Sequence, residues 1–96
     1  MRMPRRFGTA HAMAHREATV ITAMMDDLRR IVEILDCDVA TEEKRARIFD
    51  KSDAQYPILA RTLATRRDNL KATVAVLGQR LRTIDETAAQ GVATAA

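Results

Sequence analysis

Two histidines in this chain are spaced as a pair of metal ligands on one helix face would be. His11 and His15 are four residues apart, and residues with that separation lie on the same face of an α-helix. A metal site needs further ligands, but Glu17 would project from a different face and Cys37 is far along the same predicted helix. We therefore expect two solvated histidines, with no bound metal and no cofactor.

The single cysteine is the next candidate for chemistry. Cys37 lies between Asp36 and Asp38, whose negative charges disfavour the thiolate that a nucleophile requires. A lone cysteine cannot form an internal disulfide. We also find no Ser, His and acid grouping, no pair of catalytic carboxylates and no glycine-rich phosphate loop in the sequence. The prediction is a protein that is not an enzyme.

A cluster of arginines near the N-terminus could contact an anion. Arg2, Arg5 and Arg6 are close together with no acidic residue among residues 1–16, and neutralising phosphates requires little more than such a cluster. A sequence-specific DNA reader also has a recognition helix, and residues 41–63 do not have the compact spacing of a helix-turn-helix. We favour a flexible basic N-terminal arm over residues 1–9, with nucleic-acid binding as the alternative.

A second basic group interrupts an apolar stretch, LATRRDNLKATV, at residues 63–74. Arg66 and Arg67 would flank the apolar stripe of a helix there. The favoured interpretation is that both lie along the stripe and meet water or the acids of an earlier helix. The alternatives are a site for an acidic partner or phosphate, and a polar interruption that disfavours slipped helix pairing.

The distribution of charge supports the favoured interpretation. Residues 17–53 carry six basic and ten acidic side chains, whereas residues 54–84 carry six basic side chains and Asp68 as the only acid. The two segments therefore have net charges of opposite sign. Acidic side chains of the first segment can pair with much of the basic charge of the second. Glu17 lies on the apolar face of the first helix, where a carboxylate needs a partner. If Leu35 packs near Leu59, an antiparallel hairpin brings Glu17 within a turn of Arg80, and we expect an ion pair between them.

Composition restricts the fold class. The chain has 96 residues, 47% of them apolar but only 3% aromatic, with three Gly and two Pro. Such a core must be built from aliphatic side chains, methionine and alanine, and no alternating strand pattern is present. No apolar run approaches the 18 residues of a membrane span. We predict a single all-α domain over residues 10–90, cytoplasmic and without membrane contact.

Apolar spacing predicts three helices, at about residues 10–37, 42–50 and 57–88, followed by a frayed tail at 91–96. The acids at 36 and 38 are expected to end the first helix, and Thr41 to cap the second. Pro57 is suited to the first turn of the third. Two long amphipathic helices joined by a short one predict an antiparallel helical hairpin.

A hairpin of this size gains buried surface by dimerising into a four-helix bundle, and a compact three-helix monomer is the structural alternative. The residues expected at its interfaces are Ile21, Met24, Met25, Leu28, Ile31, Leu35, Leu63, Arg66, Arg67, Leu70, Val74, Leu77 and Leu81. The predicted function is non-enzymatic protein–protein interaction, as a regulator, adaptor or subunit that forms a homodimer and contacts an unidentified protein partner. The alternative is a nucleic-acid-associated regulator that uses the basic arm.

Overall fold

The structure, a computed structural model, describes the backbone of residues 3–95 and the side chains of residues 9–89. Two helices account for most of it: α1 spans Met3–Ala46 and α2 spans Ile58–Ala95. No strand occurs in residues 3–95. The chain reverses direction between the two helices, which pack against each other as an antiparallel pair, so the predicted all-α helical hairpin is confirmed.

Each helix packs one row of buried and partly buried side chains against the other. On α1 the row comprises Ala14, Ala18, Ile21, Met25, Leu28, Val32, Leu35, Val39 and Glu42. On α2 it comprises Ala60, Leu63, Arg67, Leu70, Val74, Leu77, Leu81, Ile84 and Ala88. Both rows advance by alternate steps of three and four residues, which is the heptad repeat of a left-handed coiled coil. We call these two rows together the seam.

Contacts within the chain divide it into two compact units, and the unit that contains the turn comprises Asp27–Val74. Its centre is a cluster of Val39, Tyr56 and Ala60, all buried. Partly buried apolar side chains pack around this cluster, namely Ile48, Leu63 and Ala64. The single tyrosine of the chain thus supplies the largest side chain in a core otherwise made of aliphatic residues.

The other unit comprises Met1–Asp26 with Ala75–Ala96. Ile21, Met25 and Ile84 are its buried apolar side chains among the described residues. Gly78 lies beside Met25, whose methyl carbon is 3.4 Å from the point where a Cβ at residue 78 would stand. A Cβ at this position would therefore be in van der Waals contact with Met25, and glycine carries a cost of about 1 kcal/mol relative to alanine inside a helix.

The predicted short helix at 42–50 is wrong, because α1 does not end at 37 but continues to Ala46. Leu35 and Val39 are one turn apart and both buried. The seam therefore continues through residues 36–38, where the helix was expected to end. Asp36 and Asp38 are exposed on either side of it, where water screens their charges. Thr41 does not cap a new helix; its hydroxyl donates to the carbonyl of Cys37, as in a helix interior.

The outer bounds of the two helices also differ from the prediction. Helix α1 begins at Met3 and not near residue 10, and Pro4 falls in its first turn, where a missing N–H is tolerated. Helix α2 continues to Ala95, because Gly91 weakens a helix without ending it. The predicted anion contacts at Arg2, Arg5 and Arg6 have side chains outside the described residues, and they stay a prediction.

Helix α1 ends in a Schellman motif. The N–H of Ile48 donates to the carbonyl of Glu43, and the N–H of Arg47 donates to that of Lys44, both at 3.3 Å. Arg47 has a φ of 59°, the left-handed conformation that this motif requires at the residue after the C-cap. Ile48 then packs on the buried cluster of the turn, so the cap directs the chain back toward α2.

Two aspartates organise the turn that follows. One carboxylate oxygen of Asp50 accepts from the N–H and the hydroxyl of Ser52, at 3.0 and 2.7 Å, and these hydrogen bonds lower the pKa of Asp50. Asp53 accepts from the N–H of Gln55 at 2.8 Å. Both are side-chain turns of the kind that Asp favours. Helix α2 begins immediately after Pro57, as the sequence predicted.

The left-handed residue at the end of α1 gives a first test. A non-glycine residue with positive φ carries a steric cost that glycine does not. We expect Arg47→Gly to raise the free energy of unfolding by about 1 kcal/mol, measured by urea denaturation followed by circular dichroism. Arg47→Ala is the matched control, because it removes the same side chain and keeps the Cβ. An equal effect of both substitutions would contradict the conformational explanation.

Candidate interaction surface

Arg67 occupies a position of the seam itself. Its side chain is only 15% exposed and stands in the row between Leu63 and Leu70. The guanidinium donates to Asp36 on α1 and to Asp68 on α2, both at 3.1 Å. Hydrogen bonding to Asp68, with a smaller contribution from Asp36, raises the pKa of Arg67 against the opposing effect of burial. The charge of Arg67 is therefore paired with carboxylates of the same chain.

The residues expected at the helix interfaces divide into two groups. Most of them lie in the seam: Ile21, Met25, Leu28, Leu35, Leu63, Arg67, Leu70, Val74, Leu77 and Leu81. Arg66 is exposed, so the two neighbouring arginines have different environments. Met24 and Ile31 are also exposed, at 47% and 38%, because the α1 seam passes through Met25 and Val32. The apolar spacing alone did not distinguish these adjacent rows.

The ion pair expected between Glu17 and Arg80 is confirmed. Two nitrogens of the guanidinium lie 2.7 and 2.8 Å from one carboxylate oxygen. Both side chains are about half exposed, so the pair contributes little to stability and more to matching the two helices. In an antiparallel coiled coil, residues just before the seam on both helices lie along the same flank. In the unit that contains the two termini, the Glu17–Arg80 pair therefore marks the flank formed by the residues just before the seam on both helices.

Large apolar side chains are exposed along this flank of α1. Within the unit that contains Glu17, the exposed fractions are 58% for Met13, 57% for Val20 and 47% for Met24. Within the turn unit, Ile31 and Ile34 occupy the corresponding heptad positions and are exposed as well. We call Met13, Val20 and Met24 the outer row. Scattered exposed apolar residues are ordinary, whereas these three recur at heptad spacing on one face of α1.

The opposite flank of α1 has a different character. It carries His15, Thr22, Asp26, Arg29 and Glu33, all exposed and none of them apolar. On that side, Arg29, Glu33 and Lys71 line a shallow open groove together with two seam valines. One flank of the helix is thus polar, while the other presents apolar surface to the solvent. The two flanks of α1 therefore differ in character, although both are exposed to solvent.

The groups that could do other chemistry are dispersed. His11 and His15 are exposed, and the described residues contain no cluster of three or more His, Cys, Asp or Glu side chains that could hold a metal ion. Cys37 is exposed on α1. None of the described helical residues forms a stretch long and apolar enough to cross a membrane.

Comparison with known proteins adds no relative. No protein-family model, no curated protein and no solved structure matches this chain. The candidate surface therefore rests on its own geometry.

A side-chain cluster near the turn was not anticipated from the sequence. The Tyr56 hydroxyl donates to the carboxylate of Glu43 at 3.0 Å, and the guanidinium of Arg61 lies 5.3 Å from the ring centroid. Arg61 also donates to the carbonyl of Lys51 at 3.0 Å. Burial of the ring, followed by the hydrogen bond and the charge of Glu43, raises the pKa of Tyr56. The cluster joins the end of α1, the turn and the start of α2.

The raised pKa of Tyr56 predicts a loss of stability at alkaline pH. The fold favours the neutral phenol, so its contribution is complete below the ordinary value of 10.0 and is lost as pH rises through the raised pKa. Because Tyr56 is the only tyrosine, the ultraviolet absorbance of tyrosinate reports its titration directly. Glu43→Gln removes the charge and retains an acceptor, so it should lower the pKa. A wild-type titration at or below the ordinary value would contradict the cluster.

The partly buried arginine of the seam gives a further test. Arg67→Leu places an apolar side chain where the heptad repeat calls for one, and Asp36 stays half exposed and solvated. We expect the free energy of unfolding to rise by about 1 kcal/mol, measured by urea denaturation. Arg66→Leu is the control at the exposed neighbour and should change stability by less than about 0.5 kcal/mol. Destabilisation by Arg67→Leu would show that the ion pair outweighs apolar packing.

Proposed function

We propose that this protein is a non-enzymatic interaction protein that acts as a homodimer, in which two hairpins associate through their outer rows as a four-helix bundle. The observation that carries the proposal is the exposure of three large apolar side chains, Met13, Val20 and Met24, at heptad spacing on α1. An exposed apolar helix face is suited to contact with another helix. This feature supports a regulatory, adaptor or subunit role. The dimer would present its polar flanks and turn to a further protein partner.

A second copy of the chain is the occupant that best fits the outer row. Its heptad repeat matches a partner helix with the same repeat, and α1 of another molecule carries that repeat at the same three residues. The hairpin has one layer of seam and only seven buried apolar residues among those described, so it gains substantially from added burial. The acidic side chain at the heptad position between Met13 and Val20 is Glu17, which is paired with Arg80 of the same chain.

Sedimentation at tens of micromolar tests this proposal. We expect wild-type protein to sediment as a dimer, and Val20→Glu to shift it to a monomer, because a carboxylate would be desolvated at the contact. Val20 is exposed in the hairpin, so the substitution leaves the seam intact and the circular dichroism unchanged. Thr22→Glu adds the same charge on the opposite flank and should stay dimeric. A monomeric wild type, or equal dissociation by both variants, would overturn the proposal.

A further inference from the structure

The end of the hairpin that contains the turn exposes three large apolar side chains. The exposed fraction is 61% for Phe49 in the turn, and 82% and 52% for Ile58 and Leu59 in the first turn of α2. All three belong to the compact unit Asp27–Val74. Ile48 packs on the buried cluster of the turn, whereas its neighbour Phe49, the larger side chain, stays in solvent. We call Phe49, Ile58 and Leu59 the turn patch.

Three cations at the same end of the hairpin have no carboxylate partner in the fold. Lys44 lies in the last turn of α1, Arg47 and Lys51 lie in the turn itself, and all three are exposed. None of them forms an ion pair with another of the described residues. By contrast, the neighbouring Arg45 pairs with Glu42 at 3.2 Å. The turn patch is therefore accompanied by positive charge that packing of the hairpin does not use.

The backbone conformation of Arg47 is a second, independent observation. Its φ of 59° is left-handed, a conformation in which arginine has a steric cost and glycine has none. Its guanidinium is exposed and makes no hydrogen bond to any described residue. A side chain held in a costly conformation, with no contact in the fold that offsets the cost, is suited to a role outside the fold.

The acidic residues of the turn select among the classes of partner. Asp50 and Asp53 are exposed in the same turn, and hydrogen bonds within the turn hold both carboxylates in place. A phospholipid surface or a nucleic acid would bring phosphates against these carboxylates, which is unfavourable. A protein segment can place carboxylates opposite the cations and neutral groups opposite the aspartates. The mixed signs of charge therefore favour a protein partner.

We propose that the turn patch and its three cations form a docking surface for an acidic, apolar segment of a second protein. The inference rests on the protein–protein role proposed above and identifies the partner by its chemistry. Apolar side chains of the segment pack on the turn patch, and its carboxylates form charge-assisted hydrogen bonds with the cations, Arg47 foremost. Aromatic residues and arginine are the side chains that most often dominate such contacts.

Peptide selection on the full-length chain tests this proposal. A displayed library of short random peptides is selected on wild-type protein and counter-selected on Phe49→Ala, which discards peptides that bind elsewhere. We expect the recovered peptides to combine Asp or Glu with large apolar residues. Fluorescence anisotropy of one recovered peptide then gives its affinity for each variant of the chain.

Two substitutions in the docking surface should weaken binding of that peptide. Phe49→Ala should lower the affinity by about tenfold, and Arg47→Gly by about threefold at low salt and less at high salt. Because Arg47→Gly relieves the steric cost of the left-handed conformation, unfolding cannot account for its loss of binding. Phe49 is exposed, so its truncation should leave the circular dichroism unchanged.

Two substitutions in the same compact unit are matched controls. Ile34→Ala removes an apolar side chain of similar exposure, 59% against 61% for Phe49. Lys71→Gln removes an exposed cation of α2. Both positions are several helical turns away from the turn along their helices, so each should change the affinity by less than about twofold.

The outcomes separate this inference from the proposed dimer. Recovery of no peptide, recovery of peptides without acidic residues, or an equal loss of affinity in the controls would overturn the inference. Binding to phosphatidylcholine–phosphatidylserine vesicles that Phe49→Ala abolishes would overturn it in favour of a lipid surface. Conversion of a dimer to a monomer by Phe49→Ala would overturn it in favour of a second copy. Val20 lies in the other compact unit, so Val20→Glu should bind the peptide as wild type does. Wild-type protein that is monomeric and still binds the peptide would overturn the dimer alone.

Discussion

The hairpin depends on one layer of side chains between two helices. A pair of helices can bury only the positions that recur every three and four residues, and here those positions run along both helices without a gap. No third element covers the remaining faces of the described helices. Each helix must therefore fit the other along this layer, because the described residues contain no packing element besides these two helices. The ion pairs of Glu17 with Arg80 and of Arg67 with Asp36 cross the seam at two separate places and favour one alignment.

Arg67 shows what this constraint requires. A charged residue in a single-layer seam is costly unless its hydrogen bonds are made, and its two carboxylate partners make them. The same position would not tolerate a shift of one helix by a turn, because the guanidinium would then lose Asp36. A polar residue at one seam position is a known means of selecting a single alignment at some cost in stability. Arg67 is thus paired within the chain, and the same pairing favours one alignment of the two helices.

Much of the fold follows from the sequence, and the failures have identifiable causes. Aliphatic composition and helical spacing were sufficient to predict the hairpin, its direction and the Glu17–Arg80 pair. The continuation of α1 past Asp36 was missed because acidic residues near a supposed helix end were given more weight than the burial of Val39. The exposed outer row was missed because two heptad rows one residue apart, such as Met24 and Met25, are both apolar. Only packing decides which of the two faces α2.

The Tyr56 cluster could not be read from spacing, because it depends on how the turn places the ring. That turn has a consequence for how the chain finds its structure. Asp50 and Asp53 close short loops through their own side chains, and the cap at Arg47 and Ile48 fixes the exit of α1 within a few residues. Contacts between residues near in sequence have a small loop-closure cost. Folding of the hairpin can therefore begin at the turn and proceed toward the two termini. The helix–helix contacts nearest the termini then form last.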